Sequence, residues 1–215
     1  KGRVRFIDGY GEDSVYVRAI AASIRNAGFS EEAGDRLLFS FHSIPLKDIE
    51  AGDTYELQTG ATSLAIAGEL GLDRRSWTIS YQSRFDKGRT WLSPFTRPTL
   101  VRLAEPGSRL YVVCPNFAVD CLETLYDVPQ ELEPIYRAAL AGELVDADEE
   151  PGALENTGKR AAHCDAHLEA HRDIAKTVRM KRAAEDFRRG AHRQLEADEP
   201  FVYVPCLNRS RTHLK

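Results

Sequence analysis

Short apolar runs and amphipathic stretches take turns along this chain. Five β-branched or aromatic runs stand out, at residues 3–7, 36–42, 76–82, 109–116 and 200–207. Most are nearly continuous in apolar residues, the pattern of strands covered on both faces. Between the first two, around 14–27, Val17, Ile20 and Ile24 share one helical face, with Ser14 as candidate N-cap and Gly28 as stop. A second helical stretch, around 60–70, carries Leu64, Ala67 and Leu70 and ends at Gly71. A shorter one near 97–104 offers Leu100 and Leu103, and another begins near Asp120. Strand alternating with helix predicts an α/β fold: a parallel sheet of about four to five strands flanked by helices.

The rhythm breaks from about 129 to 198, where no strand is legible. An acidic, turn-rich segment (145–158) precedes a long charged helical region. There Met180, Ala184, Phe187, Ala191 and Leu195 form one stripe, out of phase with Ile174 and Val178, so two helices or a kinked one fit better than a single rod. The expected organisation is a single lobe over 1–215 with a helical insertion, 129–184, before the last strand.

Composition narrows the function class. A length of 215 residues, 42% hydrophobic and 29% charged, is that of an ordinary globular chain. A formal charge of −4 argues against a dedicated nucleic-acid binder, which is normally basic. No apolar run is long enough to span a bilayer, and the opening residues lack a signal-peptide core. Cys114, Cys121, Cys164 and Cys206 form no CxxC pair, which suits reduced thiols and a cytoplasmic location.

Two of the strand-like runs stop at chemically competent residues. `LLFSFHSIP` ends on His42, and Pro45 prevents the strand from continuing. Neutral imidazole both ligates borderline metals and accepts protons near neutral pH, although such a ring can also simply satisfy a loop carbonyl. After `YVVCP`, Glu123 lies just inside a helix for which Asp120 is the candidate cap, followed at four-residue spacing by Asp127 and Glu131. Like charges at that spacing repel by roughly 0.2–0.5 kcal/mol per pair, so the row is either a solvated face or a path for a cation. Pro129 interrupts it and is expected to kink the helix or end it before Glu131. Tyr81, Gln82, Ser83 and Arg84 close the third run, with Trp91 nearby in `TWLSP`. An aromatic beside a polar cluster suits a flat ligand with acidic edges, or equally a buried loop anchor.

Taken together, `FSFHSIP`, `GDTYELQTGAT`, `WTISYQSRFDKGRTWLSPFT`, `VVCPNFAVDCLETL` and `FVYVPCLN` resemble the ferrochelatases, in the family's order. The resemblance implies Rossmann-like chelatase lobes, a porphyrin (protoporphyrin or coproporphyrin) held in a cleft, and ferrous iron as substrate, with no organic cofactor. It implies that His42 acts against the macrocycle as metal ligand or proton acceptor and that Glu123 is its partner carboxylate. It further implies that Asp127 and Glu131 lead the metal inward, and that Trp91, with Tyr81 and Ser83, contacts the porphyrin.

The motifs correspond to the carboxyl-terminal half of the family pattern, so the other cleft wall is expected from a missing amino-terminal lobe or a second chain. The 129–184 insertion has no counterpart in that pattern, and Arg97 stands where the family usually has an acidic residue. The cysteine spacing does not reproduce the cluster-binding pattern of some relatives, so no iron–sulfur cluster is expected.

The insertion also holds His163, His167 and His171, which on a helix fall within an arc of about 80°. They suit capture of a divalent metal, or packing beside Ile174 and Val178. The basic run 179–189 reads as a solvated face, with an anionic membrane surface as the one reserve partner. Two other readings remain beside iron insertion: a half-chelatase that binds metal or tetrapyrrole without turnover, and a cobalt-type chelatase.

Overall fold

The computed structural model describes residues 4, 9–84, 86, 88–143 and 199–206. The chain divides into two units, one made of Lys1–Asp148 with Pro200–Lys215 and the other of Glu149–Glu199. The described residues lie almost entirely in the first. The run at 3–7 apart from residue 4, most of the expected insertion and His163, His167 and His171 fall outside them.

Four strands, β1 (Arg36–His42), β2 (Trp77–Gln82), β3 (Leu110–Val113) and β4 (Phe201–Val204), form one sheet in the order β2-β1-β3-β4. Every neighbouring pair is parallel, with Ser40 opposite Ser80 and Leu38 opposite Val112. The continuous apolar runs are explained by helices on both faces. On one face Leu37, Phe39, Phe41, Tyr111 and Val113 pack against Val17, Ile20 and Ile24 of α1 (Ser14–Asn26) and Ile66 of α3 (Tyr55–Leu70). A short helix, α2 (Leu46–Glu50), precedes α3. On the other face Leu38, Leu110, Val112 and Phe201 meet Leu100 of α4 (Thr96–Leu103), Val128 and Leu132, and Tyr136 of α5 (Glu133–Leu140).

Helix ends follow the local chemistry, with corrections. Asp13, not Ser14, caps α1, its carboxylate accepting from the N–H groups of Val15 and Tyr16 at 2.8 and 3.3 Å. Such a cap is worth about 1 kcal/mol. Gly28 (φ 85°) does stop the helix: Phe29 N–H reaches back to the Ile24 carbonyl, which needs a left-handed residue between them. The stretch expected at 60–70 begins earlier, at Tyr55, and its face is different. Leu64 is 64% exposed, whereas Thr59, Ser63, Ile66 and Ala67 are buried. Three of its five buried positions can be polar because Thr59, Thr62 and Ser63 return their hydroxyls to backbone carbonyls in the same helix.

Pro129 neither ends nor breaks its helix. Glu123–Leu132 widens into a π-helix that runs directly into α5. A proline ring clashes with the carbonyl four residues earlier and cannot donate to it, and the wider i→i+5 spacing relieves both problems. Glu133 N–H accordingly bonds the Val128 carbonyl, five residues back. Residues 129–140, assigned from the sequence to the insertion, therefore belong to the lobe, with Tyr136 against Phe201 at 5.8 Å between ring centroids.

Candidate functional site

The sheet order reverses its winding at β1. The chain passes from β1 to β2 through α2 and α3, and from β2 back past β1 to β3 through α4 on the opposite face. Such a reversal opens a crevice beyond the carboxyl ends of the two strands that flank it, here β1 and β3. His42 is the last residue of β1, and Cys114–Asp120 is the loop that leaves β3.

His42 is half-buried at this edge. Its Nδ1 lies 2.6 Å from the Ser43 carbonyl. A carbonyl only accepts, so Nδ1 carries the proton and the ring's lone pair is on Nε2. The His42 carbonyl accepts from the Tyr55 phenol at 2.7 Å, and that phenol in turn accepts from Asn116 Nδ2 at 2.9 Å. The Phe117 ring lies 6.4 Å from the imidazole, centroid to centroid. Burial pushes the Tyr55 phenol well above its ordinary value, so it remains a donor at any working pH. Tyr55, Asn116 and Phe117 thus tie the ends of β1 and β3 together.

Glu123 opens the π-helix that follows this loop. Thr124, Val128 and Leu132 are its buried row, and Glu123, Asp127 and Glu131 form the half-buried row beside it. Because the helix passes through Pro129, all three carboxylates stay on one continuous element. Asp120 does not cap it. Its carboxylate accepts from Tyr203 and Thr124, while the Thr124 hydroxyl takes the Cys121 N–H at 2.9 Å. The Cys121 thiol is held above its usual range by burial first and by its hydrogen bond to Glu123 second. Among the described residues, no three His, Cys, Asp or Glu side chains are grouped to hold a metal ion.

The residues expected to touch a ligand divide. Trp91 is buried, 6% exposed, and its indole N–H donates to the Asp86 carbonyl at 2.9 Å, the geometry of a loop anchor. Residue 91 also bridges Pro45, so this loop braces the turn after His42. Tyr81 sits in the core at 3% exposure, its ring beside Phe41 and its hydroxyl 2.9 Å from Thr59 Oγ1. As placed, it cannot touch an external ligand. Ser83 is at the edge, in the left-handed region (φ 64°), with its buried Oγ lacking a hydrogen-bond partner.

Beneath His42, on the α4 face, lies a buried polar array that the sequence did not reveal. Ser40 Oγ bonds Gln82 Oε1 at 2.9 Å and Thr96 Oγ1 at 2.8 Å, and Ser80 Oγ meets the same threonine at 2.9 Å. Strand alternation places His42, Ser40, Ser80 and Gln82 on one face of the sheet. Gln82 Nε2 and the Nε and Nη1 atoms of Arg97 are buried without a hydrogen-bond partner.

The thiols elsewhere are poor ligands. Cys206 Sγ donates to the Cys114 carbonyl at 3.0 Å, and burial pushes its pKa up to about 12. Burial likewise holds the Cys114 thiol protonated. Cys164 lies outside the described residues. A cavity of about 390 Å³ exists at the opposite, amino-terminal edge of the sheet, lined by Glu31, Asp35, Arg36, Ser76, Glu105 and Ser108 among others. Its acids are already engaged, Asp35 by Arg109 at 2.8 Å and Glu31 by the Asp73 N–H and Ser76. The strand-end geometry, not that cavity, defines the candidate site.

The fold and the site define a class of protein: an open parallel α/β lobe with an imidazole and a carboxylate-bearing helix at its switch point. The comparisons make it specific: the ferrochelatase family model matches residues 1–146, and the chain belongs to that family. It is 44% identical over 127 residues to the ferrochelatase of Xylella fastidiosa (strain 9a5c), covering 59% of this chain and 39% of that protein. Against the ferrochelatase of Xanthomonas axonopodis pv. citri (strain 306) the identity is 46% over 126 residues, covering 58% and 39%. For that of Thioalkalivibrio sulfidiphilus (strain HL-EbGR7) it is 40% over 141 residues, covering 65% and 38%.

The chain therefore spans 38–39% of the length of these relatives. The match occupies the amino-terminal part of this chain rather than running on to `FVYVPCLN` as the resemblance suggested, and it includes 129–146, which had been assigned to the insertion. Among the described residues no helix is long and apolar enough to cross a membrane.

Proposed function

We propose that this chain is the metal-inserting lobe of a ferrochelatase, placing ferrous iron in a porphyrin during heme biosynthesis. The observation that supports it most is the setting of His42: last residue of β1, Nδ1–H turned to the Ser43 carbonyl, beside the β3 loop that leads to Glu123. Insertion forms iron–nitrogen bonds as two pyrrole N–H protons leave, so the site must take up two protons and guide a dication. His42, with its lone pair on Nε2, acts as metal ligand or accepts one proton. Glu123 takes the other, and Asp127 and Glu131 form the approach for the metal. Ser83 faces the porphyrin edge, and Trp91 and Tyr81 serve as anchors of the walls.

The remaining wall comes from further polypeptide or a second chain. The substrate is protoporphyrin or coproporphyrin, the compartment is the cytoplasm, with peripheral membrane contact for a lipophilic ring, and neither an organic cofactor nor an iron–sulfur cluster takes part.

A second reading, a half-chelatase that binds a tetrapyrrole without turnover, is favoured by the 38–39% coverage of the relatives. Zn²⁺ and mesoporphyrin mixed with the chain separate the two. Growth of the zinc–porphyrin absorbance, reduced about 100-fold or more in His42→Ala, supports insertion. A shifted Soret band without metal uptake supports binding alone, and an unaffected His42→Ala variant overturns the assignment of the base.

A further inference from the structure

Three successive carbonyls leave the end of β1, and each is taken by a donor from a different part of the lobe. The His42 carbonyl accepts from the Tyr55 phenol at 2.7 Å, that of Ser43 from the imidazole Nδ1 at 2.6 Å, and that of Ile44 from the Leu92 N–H at 2.9 Å. The middle one selects the tautomer of His42, because the hydrogen bond made at one ring nitrogen settles which nitrogen carries the proton.

Ser43 itself is held on two sides. Its N–H donates to the Gln82 carbonyl at 2.7 Å, which carries the β1–β2 pairing one residue past His42. Its hydroxyl donates to the Leu92 carbonyl at 2.8 Å, in a place where Ser43 is 0% and Leu92 3% exposed. Water cannot replace that bond, so breaking it leaves two buried polar groups unsatisfied. Leu46 N–H also reaches the Thr90 carbonyl at 2.8 Å, so the turn after His42 is stitched to residues 90–92. With Ser43 pinned at its N–H and hydroxyl and Ile44 at its carbonyl, the peptide that joins them is gripped at both ends. Its oxygen is the one that faces Nδ1.

We infer that Ser43 is a positioning residue for the reaction: its hydroxyl, anchored on Leu92, fixes the carbonyl that keeps His42 protonated at Nδ1 and so keeps the lone pair on Nε2. This rests on the chelatase reading for what Nε2 then does, and adds to it the group on which the form of the base depends. It also gives the 90–92 segment a part in the chemistry without any contact with a ligand.

The test is nitrogen-15 NMR of the histidine rings in their neutral form, since the two imidazole shifts report which nitrogen is protonated. His42→Gln identifies the His42 signals. The wild type is expected to show Nδ1–H at this residue. Ser43→Ala deletes the anchor and is expected to move the tautomer ratio about fivefold toward Nε2–H, the worth of one neutral hydrogen bond. Ser43→Cys keeps the volume with a weaker donor and is expected to fall between the two; it carries the test if circular dichroism shows Ser43→Ala unfolded. Across the three proteins, kcat for zinc insertion into mesoporphyrin is expected to follow the Nδ1–H fraction, with the porphyrin Kd unchanged. A wild type protonated at Nε2, or one tautomer ratio shared by all three proteins, overturns the inference and leaves the chelatase reading standing. A kcat that ignores a shifted ratio overturns the role in the reaction. No insertion by the wild type removes the chelatase reading and that role with it, and the tautomer ratio tells this failure from failure of the Ser43 anchor.

Discussion

The Tyr55 phenol donates to the carbonyl of His42 at 2.7 Å, so a residue thirteen positions away in sequence sets where the strand delivers its imidazole. Because that phenol also accepts from Asn116, it links the β1 and β3 ends across the crevice. Tyr55→Phe keeps the ring and deletes both bonds. It is expected to lower stability by about 1–3 kcal/mol, since a part-buried carbonyl loses its donor. Metal insertion is expected to slow while porphyrin affinity holds. Chemical denaturation and a zinc-insertion assay check the two parts separately.

Trp91 offers a cleaner choice between packing and binding. Trp91→Phe removes the bond to the Asp86 carbonyl and weakens the stacking of the Arg89 guanidinium, 5.2 Å above the ring. A loop anchor predicts a lower Tm, by a few degrees for about 1 kcal/mol, and an unaltered porphyrin Kd. A weaker Kd at constant Tm restores Trp91 to the cleft wall.

At the far edge, Asp35 is gripped by two Arg109 nitrogens, Nε at 2.9 Å and Nη2 at 2.8 Å, with the carboxylate 1% exposed. Arg109→Met leaves that carboxylate buried without its counter-ion, the Ser30 N–H at 2.8 Å still donating to it. The expected cost is about 2–3 kcal/mol, below the roughly 3–5 kcal/mol of a fully buried pair because the arginine itself is 27% exposed. The double variant Arg109→Met with Asp35→Asn is expected to recover part of the loss. Urea denaturation of the three chains measures both.

Alkaline pH is expected to destabilise this lobe through its thiols and phenols. Burial raises the pKa of Cys206 to about 12, and it raises Cys114, Tyr16 and Tyr203 as well. Between the ordinary thiol value, about 8.5, and the folded one, the unfolded chain has released a proton that the folded chain retains. Stability contributed by Cys206 is therefore complete below about pH 8.5 and declines as pH rises toward 12. Removing this thiol in Cys206→Ala is expected to take about 1.4 kcal/mol per pH unit out of that decline. Denaturation midpoints at pH 7, 9 and 10 test the slope, and identical slopes in both proteins contradict the assignment.

How far the sequence could be read differs from element to element. Continuous apolar runs announced β1, β2, β3 and β4 as strands covered on two faces, because burial on both sides leaves no alternation to detect. Gly28 and Gly71 marked helix ends for a backbone reason that needs no neighbours. The face of α3 was read correctly at Ala67 but not at Leu64, because three of its five buried positions are Thr59, Thr62 and Ser63, whose hydroxyls are satisfied within the helix, so polarity pointed the wrong way. Pro129 was misread for a similar reason: a helix can widen around it instead of stopping.

His42 and Glu123 are candidates because each follows an apolar run within a specific motif; the structure puts His42 at the end of β1 and Glu123 at the start of the π-helix. Tyr55, Asn116 and Phe117 lay inside the same quoted motifs, yet nothing in spacing says that a phenol from α3 will meet a backbone carbonyl of β1. Arg97 was noticed only as an unexpected charge. Its missing partners, and those of Gln82, exist only once α4 is folded against the sheet.

The order of residues alone determined the strand–helix alternation and the parallel sheet, and marked His42 as the residue on which β1 ends, since these depend on local periodicity and on where apolar runs stop. Tertiary structure alone decided which strand ends adjoin, that the carboxylate row survives a proline, that Tyr81 and Trp91 face inward, and that Gln82 Nε2 and two Arg97 nitrogens are buried without a hydrogen-bond partner. Those outcomes depend on distances between segments far apart in the chain, and hydrogen-bond satisfaction across such distances leaves no imprint on local pattern.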